Sequence, residues 1–100
     1  MSTISIHKLE TFLQNSSRTY LIDVRSPIEF ATGHIPNSIN FPVDEFSQFS
    51  FSKHHSYIFI CNTGSRAKQA YNYLIEKGYQ NIFHITGNLL DWAGKLEYDF

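Results

Sequence analysis

The apolar run Tyr57-Ile58-Phe59-Ile60 ends in Cys61, the only cysteine among 100 residues, and a patterned helix starts four residues later. Ala67, Ala70, Tyr71, Leu74 and Ile75 repeat at helical spacing, so the segment reads as strand, tight turn and helix in direct succession. A strand that turns straight into a helix aims the unpaired N–H groups of the first helical turn at whatever closes the strand. Here that is a thiol. The positive end of the helix dipole favours a thiolate there and can hold an anion beside it.

A lone cysteine closing a hydrophobic strand is ordinarily a core residue. Two features argue for chemistry instead. Gly64 allows the positive-φ backbone that a tight cradle needs. The first helical turn also carries Arg66 and Lys68 but no Asp or Glu, the reverse of what the dipole prefers. Two cations there are unfavourable unless an anion visits. Arg66 is therefore expected to serve a bound anion more than the fold, and Cys61 reads as a nucleophile acting on anionic substrates.

With 42% hydrophobic residues, the 100-residue chain can build one small domain with one core, spanning 1–100. Nine Phe, six Tyr and one Trp add large buried areas to a short chain. A net charge of −1 leaves no basic face for nucleic acid or an anionic membrane. No apolar segment reaches the length of a membrane span. The stretch Met1-Ser2-Thr3-Ile4-Ser5 lacks the layout of a signal peptide, and one cysteine excludes an internal disulfide. A reducing cytoplasm is the expected location. His54-His55 are adjacent in a polar stretch and point different ways, so no metal site is expected.

The remaining elements follow from local signals. Ile4 reads as a short strand, with Ser5 capping a helix whose apolar face is Leu9, Phe12 and Leu13. The stretch Gln14-Asn15-Ser16-Ser17-Arg18 is a polar loop. Tyr20–Val24 is apolar without alternation, as in a parallel strand covered on both faces. Ser26-Pro27 opens a short helix that Gly33 closes. Ile39-Asn40-Phe41 reads as a strand, Pro42 opens a brief helix over Val43, Phe46 and Phe49, and Ser47–Ser56 reads as a surface connection. The Cys61 helix runs Ser65–Lys77 before Gly78. Ile82–Ile85 is a last strand, leading through Thr86-Gly87-Asn88 into a helix around Leu89–Ala93. Alternating strands and helices predict an α/β fold: a small open parallel sheet of about five strands flanked by helices on both faces. In such sheets ligands sit beyond the carboxyl ends of the strands, where Cys61 falls.

Three motifs then resemble the rhodanese-like single-domain sulfurtransferase family, in its order and spacing. They are Leu21–Phe30 followed by Gly33-His34-Ile35-Pro36, then Cys61-Asn62-Thr63-Gly64-Ser65-Arg66, then Gly87-Asn88-Leu89-Leu90-Asp91-Trp92. The resemblance runs from about Ile4 to Trp92. Asn88 stands where the family usually has a second Gly, and Asn tolerates left-handed backbone. Residues 62–65 are uncharged, whereas relatives that use thiosulfate often carry a further basic residue in this loop.

The resemblance implies that Cys61 takes the outer sulfur of a donor such as thiosulfate, becomes a persulfide, and passes sulfur to a thiol or cyanide. Asn62, Thr63, Gly64, Ser65 and Arg66 would bind the substrate, and no cofactor or metal is implied. Asp23 and Arg25 would be structural groups near the site, pairing with turns and with an acid such as Glu29. His34 would hydrogen-bond backbone, and Trp92 would anchor the last helix in the core. Expected partners are a small anionic sulfur donor and a thiol acceptor, which a protein cysteine can supply. The oligomeric state is not legible, with a monomer the expectation.

Two other classes compete. Cysteine phosphatases and arsenate reductases place five residues between Cys and Arg, against four between Cys61 and Arg66, and commonly a His before the Cys, where this chain has Ile60. The shorter cradle suits one sulfur atom better than a phosphoryl group. A rhodanese-like binding module, a sulfur carrier or a redox sensor would keep the fold without turnover. Binding modules commonly lack the cysteine that this chain retains.

Overall fold

A computed structural model describes residues 2–15 and 18–99, so Met1, Phe100 and, within the polar loop, Ser16 and Ser17 lie outside it. Five strands alternate with helices along the chain. They are β1 (Thr3–Ser5), α1 (Leu9–Gln14), β2 (Thr19–Asp23), α2 (Pro27–Ala31), β3 (Ile39–Asn40), β4 (Ser56–Ile60), α3 (Ser65–Glu76) and β5 (Ile82–Thr86). Short 3₁₀ helices lie at Ile6–Lys8, Val43–Gln48 and Leu89–Asp91. The strands form one sheet in the order β1-β5-β4-β2-β3, and every pairing is parallel. This is the open α/β sheet that the sequence predicts.

β4 is central, which explains its unbroken apolar run. Tyr57, Phe59 and Cys61 face a core shared with Ile22, Val24 and the Ala67, Ala70 and Leu74 stripe of α3. Ile58 and Ile60 face the opposite core, with Ile4, Leu9, Leu21, Ile85 and Leu89. Both faces are dry, so alternation has no role. On the α3 stripe, Ile75 is an exception to the sequence reading: it is 44% exposed.

The stretch Ser47–Ser56 is more than a surface connection. Phe46 and Phe49 are buried, stack with centroids 5.0 Å apart, and both meet Phe59 in T-shaped contacts. The Tyr57 hydroxyl donates to the Ser52 carbonyl at 2.6 Å and pins the segment. The aromatic residues thus extend a core that the short helices alone would leave open.

α2 has five residues, too few to persist on propensity. Ser26 and Glu29 form a reciprocal capping box: Glu29 N–H donates to Ser26 Oγ at 3.3 Å, and Ser26 N–H donates to Glu29 Oε1 at 3.1 Å. Pro27 sits inside the first turn.

Two expectations near the C-terminus are corrected. Asn88 is extended, with φ −105°, and caps the next turn by accepting the Leu90 N–H at 2.9 Å; Gly87 supplies the positive φ instead. Trp92 is half-buried and follows a single 3₁₀ turn, Leu89–Asp91, in place of a helix reaching Ala93. Its indole N–H donates to the Lys95 carbonyl at 3.1 Å, so it packs on the rim of the second core. No helix among the described residues is long and apolar enough to cross a membrane.

Candidate active site

β4 ends at Ile60 and places Cys61 at the carboxyl edge of the sheet, 3% exposed, on the α3 side. Gly64 turns the chain into α3 with φ +96°, a conformation that a side chain strains to adopt. The Gly64 N–H donates to Cys61 Sγ at 3.1 Å, and the Ala67 N–H donates to it at 3.3 Å. Two helix-start amides therefore converge on one sulfur. They set the positive ends of two backbone dipoles against the Cys61 sulfur. The Asn62 carbonyl accepts the Leu89 N–H at 2.9 Å, tying the loop to the turn after β5.

Around this cradle four charged side chains are paired. Asp23 and Arg25 are buried together: Arg25 Nε and Nη2 both reach the Asp23 carboxylate, the shorter contact at 2.8 Å, and Nη2 also donates to the Gly33 carbonyl at 2.7 Å. They are joined to the loop by Asn62, whose Oδ1 accepts from Arg25 Nη1 at 3.4 Å. The second pair is Glu29 with Arg66, bonded through both ends at 2.6 and 3.0 Å. Asn62 Nδ2 donates to Glu29 Oε2 at 3.2 Å, so one amide bridges the two pairs. The Arg66 guanidinium is the main reason the Glu29 carboxyl is held at about 2. Glu29 in turn pushes Arg66 further up.

This arrangement corrects two expectations. The acid that pairs with Arg25 is Asp23, not Glu29. The anion that offsets Arg66 is Glu29, supplied by α2 across 37 residues of sequence, so Arg66 is not an unmatched cation. Of the residues assigned to the loop, Gly64 donates to the sulfur, Asn62 organises the rim, and Thr63 and Ser65 are exposed. The second donor, Ala67, was not among them. As the third residue of a helix beginning at Ser65, its free N–H was the available signal.

His34 behaves as read from sequence: Nδ1 lies 2.7 Å from the Phe30 carbonyl oxygen, and its ring stacks on Phe30 at 3.7 Å. Among the described residues no group of three or more His, Cys, Asp or Glu is placed to hold a metal ion.

The sequence profile of the Rhodanese-like domain matches residues 5–95. A protein of Schizosaccharomyces pombe, provisionally named a mitochondrial thiosulfate sulfurtransferase, is 34% identical over 97% of this chain and 83% of its own length. A tRNA uridine(34) hydroxylase of Yersinia enterocolitica is 28% identical over 77% of this chain, which matches only 24% of that protein. The crystal structure of a rhodanese-like domain protein from Staphylococcus aureus superposes with a TM-score of 0.85 at 30% identity, covering 98% of both chains.

Proposed function

The chain belongs to the rhodanese-like domain family, and from that premise we propose that it is a sulfurtransferase carrying sulfane sulfur on Cys61 as a persulfide. The observation that best supports this is the convergence of the Gly64 and Ala67 N–H groups on Cys61 Sγ. The Cys61 thiolate attacks the outer sulfur of a donor such as thiosulfate. A new S–S bond forms at Cys61, the donor's S–S bond breaks, and sulfite leaves with the electron pair. A thiolate or cyanide then attacks the outer persulfide sulfur and returns Cys61 as thiolate. The two amides face Cys61 Sγ, so they meet the thiolate that attacks in the first step and the thiolate that is released in the second.

The acceptor comes from outside, because the chain has no second cysteine to resolve the persulfide. A small thiol or a protein cysteine fits that role, with no nucleic acid or membrane involved and the chain acting as a monomer in a reducing cytoplasm. Steady-state kinetics with donor and acceptor both varied test the reading. Donor and acceptor meet the same sulfur in turn, so double-reciprocal plots should be parallel. Intersecting lines would point to a ternary complex and against the persulfide route. A carrier with little turnover would load once and show no steady state.

A further inference from the structure

The positive charge that the sequence reserves for a visiting anion is already used. Arg66 Nη1 and Nη2 each hold one oxygen of Glu29, and the same carboxylate accepts Asn62 Nδ2 at 3.2 Å and the Ser26 N–H at 3.1 Å. Four donors fix Glu29 beside the loop. Arg25 is likewise committed to Asp23, the Gly33 carbonyl and Asn62. Two guanidinium groups and two carboxylates sum to zero, and residues 62–65 add no charge. Lys68 is exposed, and its charge adds to burial in lowering the pKa of His84.

Thiosulfate is poorly matched to this rim. Its sulfonate is bonded directly to the sulfur under attack, so a dianion must enter beside the Glu29 carboxylate and share its guanidinium. An organic persulfide, R–S–SH, presents its outer sulfur with no sulfonate next to it. Resting on the sulfurtransferase reading above, we propose that Glu29 is a specificity-determining residue, and that by occupying Arg66 it selects organic persulfides over thiosulfate as the sulfur donor. The step balances without a further reagent. The Cys61 thiolate attacks the outer sulfur, the R–S to SH bond breaks, RS⁻ leaves with the electron pair, and the proton stays on the transferred sulfur.

Glu29→Gln keeps the side chain's size and its capping oxygen while removing the charge. The measurement is kcat/KM for thiosulfate divided by kcat/KM for glutathione persulfide, in wild type and variant. The expected result is that this ratio rises about tenfold in Glu29→Gln, as a guanidinium freed of its carboxylate gains a charge-assisted contact to sulfonate. A folded variant whose ratio is unchanged or lower overturns the proposal.

Should the variant fail to fold, wild type alone decides. Its KM for thiosulfate should change less than about twofold between roughly 0.02 and 0.2 M salt, because no net cation attracts the dianion. A KM that climbs severalfold over that range overturns the proposal. The two levels of failure are distinct. If neither donor places sulfur on Cys61, the sulfurtransferase reading itself falls; if both do and the ratio is indifferent to Glu29, only the donor assignment falls.

Discussion

Ala67 donates its backbone N–H to the Cys61 sulfur at 3.3 Å across six residues of chain. The start of α3 therefore stands over the thiol, and it does so because Gly64 reverses the backbone between them at φ +96°. Gly64→Ala forces a side chain into that conformation and places a Cβ 3.4 Å from the Ile85 carbonyl oxygen. The expected destabilisation is about 1–3 kcal/mol. For a domain of this size each kcal/mol lowers the melting temperature by roughly 4–8 °C. Calorimetry should show that drop together with slower sulfur loading; a variant that melts and loads as wild type does would mean the turn tolerates a side chain.

Asp23 is expected to matter chiefly to stability. It is 1% exposed, and its loss leaves the Arg25 guanidinium buried without its carboxylate. Asp23→Ala should cost about 3–5 kcal/mol in urea titration. Replacing both members, as in Asp23→Ala with Arg25→Met, should recover part of that loss. A double variant less stable than Asp23→Ala alone would show that Arg25 is held by Gly33 and Asn62 rather than by the ion pair.

Glu29 should leave a signature in acid. Its carboxyl is held at about 2, against an ordinary value of 4.5, chiefly by Arg66. A lowered folded-state pKa means that the contribution is complete above the ordinary value and is lost as pH falls toward the folded one. The melting-temperature difference between wild type and Glu29→Gln should thus be constant above pH 4.5 and shrink between 4.5 and 2. A difference independent of pH would show that the carboxylate charge adds nothing to the fold.

Local signals carried most of the fold. The unbroken apolar run of β4 reflects a strand covered on both faces, and the Ser26-Pro27 start of α2 reflects a cap that acts within three residues. The Cys61–Ser65 junction was legible because Gly64 and the α3 periodicity are both local. What was not legible depends on distant partners. Glu29 is expected from the resemblance to pair with Arg25, and nothing in its neighbourhood announces a bond to a residue 37 positions away. Arg66 consequently looked unmatched, and the expectation that it spares the fold is replaced by a tie between α2 and α3. Trp92 misled for the same reason. Its size suggests a core anchor, while its burial is set by where the chain after Asp91 returns, with its indole bonded to Lys95.

The persulfide on Cys61 is the central claim, and intact-mass measurement tests it most directly. Wild-type protein treated with excess thiosulfate or glutathione persulfide, then freed of donor, should gain the mass of one sulfur atom. The gain should persist, because the chain offers no second thiol to remove it, and cyanide should abolish it. Cys61→Ser should gain nothing under the same treatment. A wild-type protein that gains no mass from either donor, or a Cys61→Ser variant that gains as much as wild type, would contradict the account.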